Sequence, residues 1–442
     1  MRRRSPSPAS FLADEAAERR RRRMRLFAYV IGAFGLSLSA QINFLVPLRA
    51  RELGAGLDVI GFIIGSGTLA AALSSVTIGA VIDRIGPKRA FVIGAAGTAV
   101  ASLAFMLVDG YWWFVALQPV HGIVRNLGWV ASQGYITSYA ADEERARLAG
   151  RFSFFSNVGT MVGPLMAGAA ASLIGFRWAL IVPVSYSVVF TLLGLLLVET
   201  RTSDAEAAPV GEDGEEPGAD AATPARRRMR RWARRNGGAG LGAALSLLAN
   251  RGIQVALILS FTRLWSSHVY SAFLPIFMVE SGISADTAGV VMATSGFVAA
   301  IMAPTTGFWT RYLSPQSAAA LGLGCNALGL ILAPHLGWVP AIFIVPVLVG
   351  IGIGLSLPLL ITIVTSVVPA EKRGVALGLR ALVNQVAATA APVIIGPLMT
   401  FLGLTLGFTT GGAIAGSLLV TARVLHGRSR RSDVDRTEPV AR

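Results

Sequence analysis

Gly79-Ala80-Val81-Ile82-Asp83-Arg84-Ile85-Gly86-Pro87-Lys88-Arg89 decides how this chain folds. It stands between two apolar runs, Leu57–Ala80 and Ala90–Val108. Each run is long enough to cross the roughly 30 Å hydrocarbon core of a bilayer as a helix. A tight turn carrying Asp83, Arg84, Lys88 and Arg89 belongs in water, and its basic excess places it on the cytoplasmic side of the membrane. One loop fixed in this way orients every other span.

The whole chain agrees with a membrane setting. Of its 442 residues 53% are hydrophobic and 14% charged, with a mean hydropathy of +0.62. Soluble domains carry about 25% charged residues. The formal net charge of +15 is not spread as a nucleic-acid surface would require, because arginines crowd into Arg2–Arg4, Arg19–Arg23, Arg226–Arg235 and Arg423–Arg431, each flanking an apolar span. That is a positive-inside pattern, and it also attracts anionic lipid headgroups. Neither a nucleic-acid partner nor a cleavable signal peptide is expected. The single cysteine, Cys325, lies in an apolar run, which leaves no disulfide framework and no thiol metal site.

Apolar runs fall at about 26–48, 57–80, 90–108, 112–139, 152–174 and 178–198, then at about 252–279, 287–309, 317–335, 339–368, 375–400 and 404–424. The expected fold is therefore an all-α membrane protein of twelve transmembrane helices with both termini cytoplasmic. Residues 1–25 form a basic tail, 26–199 the first six-helix half, 200–245 a cytoplasmic link, 246–425 the second half and 426–442 a second tail. The link is acidic and rich in Ala, Gly and Pro up to Asp220, then basic over Arg226–Arg235, either as an interfacial helix or as a stop-transfer cluster. The chain after Arg423 has a disorder composition.

The halves are copies. A constant offset of 228 residues carries Pro47 to Pro275, Glu52 to Glu280, Gly54 to Gly282, Asp58 to Asp286, Gly61 to Gly289, Gly122 to Gly350, Pro164 to Pro392 and Gly168 to Gly396. Two parallel repeats with a site between them near the midplane are a transporter architecture.

The loop pattern G-x-x-x-D-R-x-G-x-K-R resembles the signature of the major facilitator superfamily between helices 2 and 3. Pro87 stands where that family usually has a basic residue. The resemblance implies a gating set of Gly79, Asp83, Arg84, Lys88 and Arg89, with Asp83 closing a cytoplasmic contact near the start of helix 11. In the second copy Arg311 replaces the aspartate. In helix 5, Gly150, Gly159, Gly163, Pro164 and Gly168 resemble a motif of antiporter, often drug-exporting, members. Physically, Gly163 and Gly168 permit close helix approach, and Pro164 removes a backbone hydrogen bond. The arginine usual in helix 4 of such exporters is Gln118 here.

Charges inside the spans point to the substrate. Arg125 in helix 4 and Arg263 in helix 7 both fall near mid-span, where an arginine costs about 2.5–3.5 kcal/mol and must face a cavity or a partner. Gln118, His121, Arg125, Trp129 and Ser132 make one polar stripe; Arg263, Ser267, Tyr270 and Ser271 make another. By the family resemblance helices 1, 4, 7 and 10 line the cavity, adding Gln41, Asn43, Thr362 and Ser366. No Asp or Glu lies well inside any span, and an anionic ligand bridging Arg125 and Arg263 supplies the missing charge. The competing reading is that both arginines bond helix carbonyls and water. His121 and His268 are the candidates for proton coupling.

The expected function is therefore a secondary transporter of the plasma or inner membrane. It works as a monomer by alternating access and exports or exchanges a small anionic organic solute. One alternative is a broad efflux pump for lipophilic drugs, with Trp129, Trp265, Phe261 and Tyr270 as its aromatic site. Another is a transport-inactive sensor or scaffold. No enzymatic motif, cofactor or metal site is expected.

Overall fold

The computed structural model describes residues 35–138, 142–197, 246–336, 339–369 and 372–437. The predicted basic tail and the link between the halves lie outside the described residues. Among the described residues the regular structure is entirely helical. In the first half the helices are α1 (35–52), α2 (Leu57–Ile85), α3 (Pro87–Leu107), α4 (Tyr111–Ser138), α5 (Asp142–Ala179, broken at Gly175) and α6 (Ile181–Leu195). In the second they are α7 (Arg251–Glu280), α8 (Ala285–Met302, continued through a 3-10 turn to Tyr312), α9 (Pro315–Leu332) and α10 (Val339–Ile342 with Ile344–Ser366). The helical stretch Arg373–Thr437 is divided at Gly403 into α11 and α12.

Seven described stretches are apolar and long enough to cross a membrane, and Arg373–Gly427 holds two spans. Neither α4 nor α7 is among the seven, and these are the helices that carry the mid-span arginines.

The sequence repeat is a structural one. Gly54 and Gly282 turn with φ of 89° and 81°, and Gly175 and Gly403 with 77° and 82°, each pair 228 residues apart. These left-handed turns suit glycine because a Cβ would clash with the backbone there. The inter-half contacts repeat as well. Gly61 of α2 lies against Pro392 and Gly396 of α11, and Gly289 of α8 against Pro164 and Gly168 of α5.

Hydrophobic packing is unequal at the two ends of the bundle. At the end holding the turns at Gly54 and Gly282, one core runs through both halves, joining Ile42, Phe44 and Phe105 to Phe273, Met292 and Phe408. At the other end the core divides into a first-half cluster around Phe91 and Phe190 and a second-half cluster around Leu259, Leu323 and Leu360. Among the described residues the halves thus share one core at the Gly54 end and have separate cores at the Gly86 end.

Two expectations change. The motif of residues 79–89 is not a loop: α2 runs through Asp83 and Arg84 to Ile85, Gly86 alone turns at φ 84°, and α3 starts at Pro87. Extending a helix by a turn costs little once it has formed, and Pro87 is suited to a first helical position. For the same reason α12 continues past Arg423 to Thr437, where composition alone predicts disorder.

Candidate functional site

A cavity of about 670 Å3 lies between the halves, walled by α1, α2 and α4 on one side and by α7 and α11 on the other. Along α4 it extends from Gln118 to Gln133, toward the end where the halves have separate cores. This is within the size range of small-molecule sites, about 300–1,000 Å3.

Arg125 and Arg263 both line it, one from each half. Arg125 Nη1 donates to Ser39 Oγ on α1 at 3.0 Å, which fixes one edge of the guanidinium and leaves other N–H groups for a ligand. Arg263 Nε is buried and has no hydrogen-bond partner. Among the described lining residues there is no Asp or Glu. A buried cation without a counter-charge is costly.

The predicted polar stripe on helix 4 is largely present, with Gln118, His121 and Trp129 beside Arg125 in the wall. Gln118 Oε1 and His121 Nε2 are buried without partners. On α7, His268 Nδ1 donates to the Leu264 carbonyl at 2.9 Å, which leaves Nε2 as the free ring nitrogen. His268 lies within electrostatic reach of both Arg125 and Arg263.

Other predicted positions fall elsewhere. Gln41 is buried in the first half, donating to Ser37 Oγ at 3.3 Å, and Tyr270 is packed in the shared core; neither lines the cavity. Thr362 and Ser366 donate to carbonyls of their own helix, at Pro358 and Ile363. Of the four aromatic candidates, Trp129 alone is in the wall. Trp265 instead donates from Nε1 to the Gly411 carbonyl at 3.0 Å and stacks on Phe261.

The residues read as a gate divide in the same way. Asp83 and Arg84 are exposed, and Asp83 makes no hydrogen bond or ion pair to a described residue. Gly79 has open space around it. Lys88 and Arg89 stand in the first turn of α3. In α5, Gly163 packs against Ser37 and Ala40 of α1, and Gly168 against Ala285 and Gly289 of α8, while Gly159 is buried. The helix-5 motif is therefore a packing surface.

The sequence pattern does not indicate α2 and α11 as cavity walls. They contribute Thr68, Ser75, Asn384 and Gln385. A signal is present in the Arg380, Asn384 and Gln385 cluster inside an apolar run, but its facing is not.

The sequence profile of the Major Facilitator Superfamily matches residues 25–220 and 256–440. The chain belongs to that superfamily. Among curated superfamily relatives, an uncharacterised MFS-type transporter of Mycobacterium tuberculosis is 27% identical over 174 residues, 39% of this chain and 30% of that protein. The staphylopine export protein of Staphylococcus aureus is 30% identical over 141 residues, 31% of this chain and 35% of that protein. The chain thus spans about a third of the length of these relatives. The superfamily fold is shared with the crystal structure of the nucleoside transporter NupG, at a TM-score of 0.71 and 14% identity over 91% of this chain and 99% of that one.

Proposed function

We propose that this superfamily transporter exports or exchanges a small organic anion across the plasma or inner membrane. The observation that carries the reading is the pair Arg125 and Arg263, one from each half, in a cavity whose described lining holds no carboxylate. A guanidinium binds carboxylate or phosphate through parallel N–H groups, which suits both acid classes. Export is supported by the similarity to the staphylopine export protein.

Transport follows from the way the core is divided. The arginine clusters set the Gly86 end in the cytoplasm by the positive-inside rule. The sealed Gly54 end then faces outward, and the cavity takes its solute from inside. Rocking the halves about the site would open the Gly54 end and close the Gly86 end. In that second state Asp83, solvent-exposed here, meets the start of α11 and holds the gate shut. The lipophilic-drug alternative has less support, because Trp265, Phe261 and Tyr270 are absent from the described lining.

The test is a thermal-shift screen of the purified protein in detergent against small molecules sorted by charge. A ligand at 100 times its Kd stabilises the fold by about 2.7 kcal/mol, which is readily measured. Stabilisation by organic anions, lost in Arg125→Gln, is the expected result. Stabilisation by lipophilic cations alone would overturn the reading.

A further inference from the structure

Beside the second-half wall of the cavity, though not itself among the lining residues, stands a further arginine. Arg380 lies on α11 one residue before Ala381 and four before Asn384, both of which line the cavity. An interval of four residues places Arg380 and Asn384 on the same helical face. Arg380 is close enough to Arg263 for their like charges to act on each other. Nε of each is buried and has no partner.

Two neighbouring guanidiniums repel each other, and each orphan N–H carries a desolvation cost. An acidic group between them removes both penalties. On the opposite wall Arg125, held by Ser39, offers a separate cationic end. His268 lines the same cavity from α7.

We infer that the cavity has two anion subsites, Arg125 with Ser39 on one half and Arg263 with Arg380 and Asn384 on the other, and that the transported solute carries two separate acidic groups. This rests on the anion reading above and narrows it. A monoanion satisfies one subsite and leaves the other half's cation buried and unpaired. A dianion spans both, so its binding energy also draws the halves together. Arg380 thereby sets specificity for charge number.

The experiment compares size-matched straight-chain mono- and dicarboxylates, and phosphomonoesters with and without a carboxylate, by calorimetric titration into the full-length protein in detergent. In the wild type the two-acid compounds are expected to bind at least tenfold more tightly than their one-acid counterparts. Arg380→Gln should weaken binding of the two-acid compounds more than that of the one-acid compounds and so shrink the preference, and Arg380→Lys should restore part of it. Equal binding of one-acid and two-acid compounds to the wild type overturns the inference but leaves the anion reading standing. That comparison needs no variant, so a misfolded Arg380→Gln does not shield it. A preference undiminished in Arg380→Gln removes Arg380 from the site. Failure of every anion to bind, with lipophilic cations binding, overturns the anion reading itself.

Discussion

Ser172 and Asp286 lie 114 residues apart, on α5 of one half and α8 of the other, yet the Ser172 hydroxyl serves as the cap of α8. Ser172 Oγ accepts from the Asp286 backbone N–H at 2.8 Å and donates to Asp286 Oδ1 at 2.9 Å. The repeat reproduces the arrangement: Thr400 Oγ1 on α11 accepts from the Asp58 N–H on α2 at 2.9 Å and donates to Asp58 Oδ1 at 3.3 Å. The residues in the cap positions of α2 and α8, Gly56 and Ser284, make no cap bond of their own. Each half thus supplies a helix cap to the other.

On the rocking motion proposed above, opening the Gly54 end breaks these caps. Removing a capping hydroxyl costs about 1 kcal/mol, so Ser172→Ala or Thr400→Ala should each move the conformational balance about fivefold toward the opposite-facing state. The ion pair from Arg51 to Glu280 joins the halves nearby, and both side chains are partly exposed. Exposed pairs contribute about 0.2–1 kcal/mol, so Glu280→Gln should shift the balance in the same direction by less, with an effect that fades in high salt. Rates of labelling of cysteines introduced at the two ends would report the balance. Unchanged rates in Ser172→Ala with Thr400→Ala would show that the trans caps carry no conformational free energy.

The seal also depends on close backbone approach. A Cβ at Gly289 would meet the Pro164 carbonyl, and one at Gly61 the Pro392 carbonyl, both unyielding backbone. Gly289→Val and Gly61→Val are therefore expected to pry the halves apart at this end and lower transport more than tenfold, with yield and monodispersity retained. Gly307 has open space around it, so Gly307→Ala should be neutral or slightly stabilising. Equal transport by all three variants would contradict the packing account.

Asp83 is expected to act in the other state. It is exposed and without a described partner here, so Asp83→Asn should leave the stability of this conformation unchanged. If it holds the opposite gate, the same change slows turnover and increases labelling from the Gly86 end in the presence of substrate. A Tm loss in Asp83→Asn without substrate would instead assign it a structural role in the state described.

The sequence carries the fold further than it carries the site. The 228-residue offset links residues that prove equivalent in turn geometry, as at Gly54 and Gly282, and in contact, as at Gly61 and Gly289. Such features are local or repeated, so they can be read in one dimension. The facing of a side chain in a bundle is set by neighbouring helices. On α7, Ser271 lines the cavity while Tyr270, about 100° away around the helix, is packed in the core. A stripe drawn by spacing alone includes both. The α11 wall escapes for the same reason, since nothing in the order of Arg380, Asn384 and Gln385 shows which way they turn.

The last prediction concerns how Arg125 is presented. Its Nη1 bond to Ser39 is a positioning contact from α1, and it orients the guanidinium before a ligand arrives. Arg125→Gln should abolish stabilisation by anions, because a charge-assisted contact is removed outright. Ser39→Ala keeps the charge and loses one hydrogen bond of about 0.5–1.5 kcal/mol, so affinity should fall by roughly two- to thirteenfold. Ser39→Thr keeps the hydroxyl and should bind like the wild type. Thermal shift and titration of the three variants against one anion separate charge from orientation. If Ser39→Ala binds anions as tightly as the wild type, the hydroxyl is only a resting partner of Arg125, and the ligand displaces it on entry.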